Sequence, residues 1–518
     1  MTRALLVLVL AAAPASAQTW TRDSAPFPVA DPSGAAVRDP FAGGVAAPRP
    51  QWWDVDGDGD LDLLVQTYAD ALTLWERIGP APTDLAWKTD HWHDLRIGQW
   101  ARVADLDGDG DGDVLAEEPL SGVRFYERTD QGFADPVGPL VDAQSGDLIS
   151  ADRQNVPALA DVTCDGILDL MQAQVDGTLT VFEGLGPDAD GVPRFRLLEE
   201  EWPGVLVIGD QKSAPSPFEF DEYGPWAPQE SGERMHGASA LDVADVDGDG
   251  DNDLIWGDFF SPSLYLLEND GTCPHPAFPI ATTAFPTSAL RTAGYNAAAV
   301  SDVTGDGRDD LTVGVVGGAF GTAPLRNLHL LVQREDGTFT RVTDTLVPGL
   351  DAGTGSAPAW GDLDGDGDAD LVVGTTDGEL FAWENVGTSA APSLRAARLD
   401  LPDLDGYSFV PAIADLDGDG LSDLIVGSFS GDVFAFRQTG ALRFERMTPD
   451  GSPMTEIPRG NFAAPTAADV DGDGDIDLIV GESSGDLNLL RNDGSPTAPG
   501  PFVAQSEALV DRNGSGAR

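Results

Sequence analysis

Cysteine and lysine are nearly absent from this chain. Two of its 518 residues are cysteines, Cys164 and Cys273, which excludes a disulfide-dense scaffold and a four-cysteine zinc module. Only two of the 29 basic residues are lysines, Lys88 and Lys212, and histidine occurs five times. Long apolar runs are missing too: no segment reaches the ~18 uninterrupted apolar residues that a membrane-spanning helix needs. Set against 88 Asp+Glu, the scarce basic residues leave a formal net charge of −59. A surface this acidic repels phosphate, which argues against nucleic acid and anionic membranes as partners. The chain is nevertheless not of disordered composition, because 41% of its residues are hydrophobic and 12 are Trp.

The first residues read as a secretory leader. Thr2-Arg3 precedes the apolar run Ala4 to Ala13, and Ala15-Ser16-Ala17 offers small residues for a cut before Gln18. No cysteine follows the cut, so a lipid anchor is not indicated. The expected organisation is a leader at 1–17, a folded region at 18–510 and a polar, Gly-rich tail at 511–518, in a protein exported to the periplasm or the extracellular space.

What the chain has in abundance is aspartate in a fixed register. The pattern D-x-[D/T]-x-D-G-x-x-D-[L/V] occurs eight times, starting at Asp54, Asp105, Asp161, Asp245, Asp302, Asp362, Asp415 and Asp469. The spacings are 51, 56, 84, 57, 60, 53 and 54 residues. Gly at the sixth position (Gly59, Gly110, Gly166 and their equivalents) holds the same register throughout, so aspartate content alone does not account for the pattern. Each copy is preceded by a short apolar stretch, often opened by a proline such as Pro50, Pro358 or Pro411. Each is followed by a strand-like run such as Leu371-Val372-Val373. A Gly-containing turn, a second β-rich run (Leu380-Phe381-Ala382-Trp383) and a further run such as Phe339-Thr340-Arg341-Val342 complete a unit of four short strands. These strands are apolar on both faces, so each small sheet must be covered on both sides. Radial stacking achieves this. The expected fold is all-β, a single β-propeller of about eight four-stranded blades, with seven as the alternative. Either Thr19–Val29 or Phe502–Leu509 is expected to supply the closing outer strand.

Carboxylates at positions 1, 3, 5 and 9, with glycine at 6 for the sharp turn, suit a hard cation that accepts six to eight oxygens, as Ca²⁺ does. Zinc and copper are not suggested, since no loop contains histidine and only one contains cysteine. An EF-hand would need Glu at position 12, where the loops have Val65, Ala116, Gln172, Trp256, Val313, Val373, Val426 and Val480. Short Gly-dense calcium β-rolls are excluded by the long repeat.

The run Asp415-Leu416-Asp417-Gly418-Asp419-Gly420-Leu421-Ser422-Asp423-Leu424-Ile425-Val426-Gly427 resembles the FG-GAP/VCBS repeat of integrin α-chain propellers and many secreted bacterial proteins. The resemblance spans roughly residues 45–505. It implies that the loop joins the first two strands of a blade, and that side chains 1, 3, 5 and 9 bind Ca²⁺ with help from the carbonyl at 7. Carried over, loop 1 uses Asp54, Asp56, Asp58 and Asp62, and loop 2 uses Asp105, Asp107, Asp109 and Asp113. Loop 4 uses Asp245, Asp247, Asp249 and Asp253, and loop 6 uses Asp362, Asp364, Asp366 and Asp370. Loop 7 uses Asp415, Asp417, Asp419 and Asp423, and loop 8 uses Asp469, Asp471, Asp473 and Asp477. Loops 3 (Asp161, Thr163, Asp165, Asp169) and 5 (Asp302, Thr304, Asp306, Asp310) each lose a charge to threonine, so weaker binding is expected there. About eight structural calcium ions are implied.

Other features divide into candidates and decoys. The 84-residue spacing leaves an insertion near 200–236, with Trp202, Phe218, Phe220, Tyr223, Trp226, Arg234 and His236, and unit 5 has a long connection from Gly317 to Asn327. Aromatic-rich loops on a rigid scaffold are a usual place for recognition. Gly481-Glu482-Ser483-Ser484-Gly485 matches a nucleophile elbow formally, but it aligns with the turn Gly374–Gly378 and reads as a hairpin. His91-Trp92-His93 reads as a surface strand. In an exported protein, Cys164 and Cys273 are expected to form a disulfide. The composite expectation is a calcium-dependent extracellular binding or adhesion scaffold for a protein or glycan. A polysaccharide lyase is the alternative from a different class, although no His/Tyr/Lys/Arg constellation stands out and no catalytic residue is assigned.

Overall fold

The apolar triplets after the acidic loops form strands because their side chains are buried on both sides of a small sheet. The computed structural model describes residues 24–207 and 238–505 apart from short stretches, among them 272–275, 320–325 and 484–486. Leu63, Leu64 and Val65 are each 0% exposed. Leu63 and Val65 belong to one core cluster and Leu64 to the next, so alternate residues of one strand serve two different sheet-to-sheet interfaces. Leu424 and Val426 against Ile425 repeat the division. Burying each such side chain contributes roughly 1.5–3 kcal/mol.

The described chain is all-β apart from one 3₁₀ turn, Trp92–Asp94. Its repeating element is a small antiparallel meander, an arrangement consistent with a propeller. Sheets 1 to 8 open with the strands Arg49–Trp53, Ala101–Ala104, Ala158–Ala160, Ser239–Ala244, Asn296–Ser301, Ala357–Gly361, Val410–Ala414 and Ala464–Ala468. In every sheet the acidic loop joins this strand to the second, which begins at the ninth residue of the motif. Sheet 2 has three strands. Sheet 6 is extended by Val29–Ala30 and Ala36–Val37, the former parallel to Leu394–Ala397. The outer strand of sheet 8 is Phe502–Gln505, so of the two candidate segments the C-terminal one completes this sheet.

Among the described residues, the strongest contacts between sheets run in two groups and close no ring of eight or of seven. Sheets 1 to 5 pack in succession, and sheet 5 then packs on sheet 1. Trp52 Nε1 donates to Thr312 Oγ1 at 2.9 Å, Arg77 Nη1 donates to the Val303 carbonyl at 2.8 Å, and Leu63, Val65 and Trp75 share a core with Ala299, Leu328 and Leu330. Inside this ring Trp100, Val156, Ala240 and Tyr295, from sheets 2 to 5 and the residues leading into them, meet in one cluster. Sheets 6, 7 and 8 form a separate run. There the glycine ending one second strand meets the backbone of the next sheet: a Cβ on Gly374 would lie 2.2 Å from the Phe409 carbonyl, and one on Gly427 would lie 2.1 Å from that of Ala463. Among the described residues no further sheet covers sheet 8 at Leu487, which is 53% exposed where its counterpart Val433 in sheet 7 is 0% exposed.

This arrangement carries a direct test. Gly374→Ala and Gly427→Ala must push neighbouring backbone aside and should cost about 1–3 kcal/mol in urea unfolding. Gly481→Ala, whose Cβ would meet nothing nearer than its own sheet's Leu487 at 3.7 Å, should be close to neutral. An equal loss at Gly481 would mean that sheet 8 is covered after all.

Candidate metal centres

Each acidic loop winds tightly because backbone amides converge on its first aspartate. In loop 1, Asp54 accepts from Gly57 N at 2.7 Å and from Gly59 N at 3.0 Å, while Asp56 and Asp58 each accept from the amide two residues on. The wrap requires left-handed backbone at positions 4 and 6: Gly57 and Gly59 have φ of +77° and +95°. Only position 6 is evident as a requirement from the eight-fold pattern. Cys164, which replaces glycine at position 4 of loop 3, adopts φ +58°.

The ninth residue does more than its spacing reveals. Asp62 accepts from Val55 N at 3.0 Å through one oxygen and from Arg77 N, on the third strand, at 2.9 Å through the other. Asp370, Asp423 and Asp477 repeat both bonds, from the amide at position 2 and from the third strand, and Asp113 and Asp253 take the second bond from Arg128 and Asn269, just past that strand. Asp169 makes both bonds and accepts from the amide at position 3 as well, while Asp310 bonds the third strand and the amide at position 3. This carboxylate therefore pins loop, second strand and third strand together before any ion is considered. The sequence signal was present as its invariance across the eight copies, but a third-strand amide cannot be read from spacing.

The wrap gathers oxygens. The carboxylates of Asp54, Asp56 and Asp58 lie with ligand atoms within 4.8 Å of one another, as do those of Asp245, Asp247 and Asp249 and of Asp362, Asp364 and Asp366. In loops 2 and 7 the close groups are Asp105, Asp107, Asp113 and Asp415, Asp417, Asp423. Loops 3, 5 and 8 share the same backbone wrap about Asp161, Asp302 and Asp469. In loop 5, Thr304 turns its hydroxyl toward Asp302 at 3.4 Å. Arginines from the third strands pair with the position-3 aspartates of the last two loops, Arg437 with Asp417, and Arg491 with Asp471 at 3.1 Å. Hard oxygens spaced this closely fit a divalent cation of the calcium type, which positions 1, 3 and 5, or 1, 3 and 9, would hold.

Burial drives the ninth carboxyl upward against its amide hydrogen bonds. Asp62, Asp253, Asp370 and Asp423 are pushed up to about 6 and Asp113 to about 7, from an ordinary value of 3.8. With the folded pKa above the unfolded one, the ion-free fold gains from protonation. That contribution is fully present below about pH 4 and is lost as pH rises through 6 to 7. A cation reverses the preference by displacing those protons. Cation binding should release protons at pH 6 and release few at pH 8, measurable by titration calorimetry in buffers of different ionisation enthalpy. Equal heats in all buffers at pH 6 would contradict this.

Other sequence candidates fare differently. Trp202 is not a surface aromatic: it is buried between sheets 3 and 4 and donates to the Pro276 carbonyl at 3.3 Å. Its apolar ring finds more contact in that core than in water. Phe218, Phe220, Tyr223, Trp226, Arg234 and His236 lie outside the described residues, as does most of the connection Gly317 to Asn327. The His91-Trp92-His93 segment is a 3₁₀ turn rather than a strand, with Trp92 buried and His93 edge-on to Phe133. Cys164 takes part in a disulfide, and Cys273, its expected partner, lies outside the described residues.

Comparison with known proteins agrees with the loops. Residues 245–313, 302–373 and 415–480 match the FG-GAP-like repeat family. The chain thus carries FG-GAP-like repeats over these residues. Integrin alpha-PS2 of Drosophila melanogaster is 28% identical over 218 residues, covering 37% of this chain and 15% of that protein. This chain therefore spans only a small part of the relative's length. Among solved structures, an Agrocybe aegerita lectin specific for non-reducing terminal N-acetylglucosamine is 18% identical, over 78% of this chain and 93% of the lectin, with a TM-score of 0.25. The exotype rhamnogalacturonan lyase YesX is 15% identical, over 89% of this chain and 73% of the lyase, with a TM-score of 0.20. Superpositions this poor carry no argument about function. No helix among the described residues is long and apolar enough to cross a membrane.

Proposed function

We propose that this is a secreted, calcium-binding FG-GAP repeat protein of propeller type that serves as an extracellular binding scaffold for a protein or glycan. The observation that carries the proposal is the recurrence of one wrapped acidic loop in all eight sheets, with carboxylates converging in loops 1, 2, 4, 6 and 7 and the ninth residue tied to the far end of the same sheet's hairpin. The role of calcium in this reading is structural: it neutralises repelling carboxylates and locks each hairpin, leaving the loops on the opposite side free for recognition. Sheets 1 to 5 would form a closed five-bladed ring and sheets 6 to 8 an attached arc.

Two measurements test the reading. Equilibrium dialysis should find several calcium ions per chain, concentrated in the loops with four aspartates. Glycan arrays and crosslinking to extracellular proteins, each run with calcium and with chelator, should then give calcium-dependent capture. Release of unsaturated sugars from pectic or alginate polymers would replace the scaffold reading with a lyase.

A further inference from the structure

The eight loops divide at their seventh position. Five carry aspartate there, Asp60, Asp111, Asp251, Asp368 and Asp475, and the other three carry Ile167, Arg308 and Leu421. In each of the five, Oδ1 is buried and has no hydrogen-bond partner among the described residues. Asp368 and Asp475 are only 9% and 3% exposed, although much of the loop around each faces solvent. A carboxylate oxygen shut off from water is costly unless something positive meets it. The charged neighbours of these two are further carboxylates, Asp366 and Asp362 for Asp368, and Asp473, Asp477 and Asp471 for Asp475, with the Asn385 amide also beside Asp368; Arg77 and Arg128 offset part of the same crowding at Asp60 and Asp111. Loop 5 shows what belongs in that gap. Its seventh residue is Arg308, which turns its guanidinium onto Asp306 at position 5. An internal cation thus sits beside the position-5 carboxylate in loop 5, where five other loops set a second carboxylate.

We propose that the side chain at position 7 is an additional ligand of the cation in loops 1, 2, 4, 6 and 8, and that these five loops form a tighter class of calcium site than loops 3, 5 and 7. This rests on the calcium reading above and adds to it: the loops are not equivalent, and a residue outside positions 1, 3, 5 and 9 sorts them. The tight loops present five carboxylates, loop 7 presents four, and the threonine loops present three from positions 1, 3, 5, 7 and 9. Affinity in oxygen-ligand calcium loops follows the count of charged ligands.

The test is a full-length variant with Asp60, Asp111, Asp251, Asp368 and Asp475 all changed to alanine, checked for folding by circular dichroism. Calcium titration by calorimetry should resolve a tight class in the natural chain, and the variant should bind at those sites about tenfold or more weakly. With Tb³⁺ as probe, luminescence lifetimes in H₂O and D₂O should show more water on the bound ion in the variant. An unchanged tight class, or an unchanged hydration number, in a folded variant overturns the proposal. If the five-fold change prevents folding, Leu421→Asp gives the converse test: it should move loop 7 into the tight class, and no gain in affinity overturns the proposal equally. A natural chain that takes up no calcium at all would instead remove the calcium reading beneath it.

Discussion

Chelating calcium should lower the melting temperature of this protein by roughly 8 °C. A loop with a Kd of about 10⁻⁴ M, in the range of extracellular modules, stabilises the fold by about 1.4 kcal/mol at 1 mM calcium. Six loops with four aspartates at positions 1, 3, 5 and 9 would together contribute about 8 kcal/mol, comparable with the whole stability of an ordinary domain. The physical origin is repulsion. The close carboxylate groups lie with ligand atoms within 4.8 Å of one another, so without a cation their mutual repulsion is offset only by the loop's amide hydrogen bonds. Differential scanning calorimetry with and without chelator measures the shift. Magnesium should restore little of it, because that ion keeps its own water and asks for fewer protein oxygens. A transition that stays in place after complete calcium removal would leave the loops as ordinary hairpin turns.

The second large effect is expected at Arg102. Its side chain is buried at the centre of the five-sheet ring, where it donates through Nε to the Pro157 carbonyl and through Nη2 to that of Leu241. Asp242 stands beside it and accepts from Val300 N at 2.7 Å, so one charged pair joins sheets 2, 3, 4 and 5. Burial drives the Arg102 guanidinium downward and the Asp242 carboxyl upward, and each charge offsets part of that effect on the other. Arg102→Met should lose about 3–5 kcal/mol in urea unfolding, since it strands two carbonyls and an uncompensated carboxyl. Arg102→Met with Asp242→Asn should recover part of the loss, because the second change removes the stranded charge. An unfolding midpoint unaltered by Arg102→Met would show that the guanidinium contributes nothing to holding the ring.

Much of the site was legible because it is local. Asp54, Gly57, Asp58 and Gly59 find their hydrogen bonds within six residues, so spacing alone specifies the wrap. The ninth aspartate was legible as a ligand position but not as a staple, since its second bond reaches an amide 15 residues on in most loops. Position 7 was legible through the family resemblance for its backbone carbonyl but not for its side chain, because burial of a single carboxylate oxygen on an otherwise exposed loop depends on how the loop folds over it. Trp202 shows the opposite limit: an aromatic residue in a long connection fits recognition and self-packing equally well, and here a neighbouring sheet covers it.

The sequence by itself determined that this protein is all-β, that it is built from eight units, and that each unit carries a wrapped acidic hairpin. Those properties follow from interactions within a single unit, where periodicity and turn chemistry act at short range. Only the tertiary structure decided which units are neighbours. The faces that sheets present to one another are nearly interchangeable rows of Val, Ile, Leu, Ala and Gly, so any one could in principle cover any other. Specific side chains break the tie: Trp52 on Thr312 and Arg77 on the Val303 carbonyl bring sheet 5 back to sheet 1, and among the described residues no sheet covers Leu487 of sheet 8.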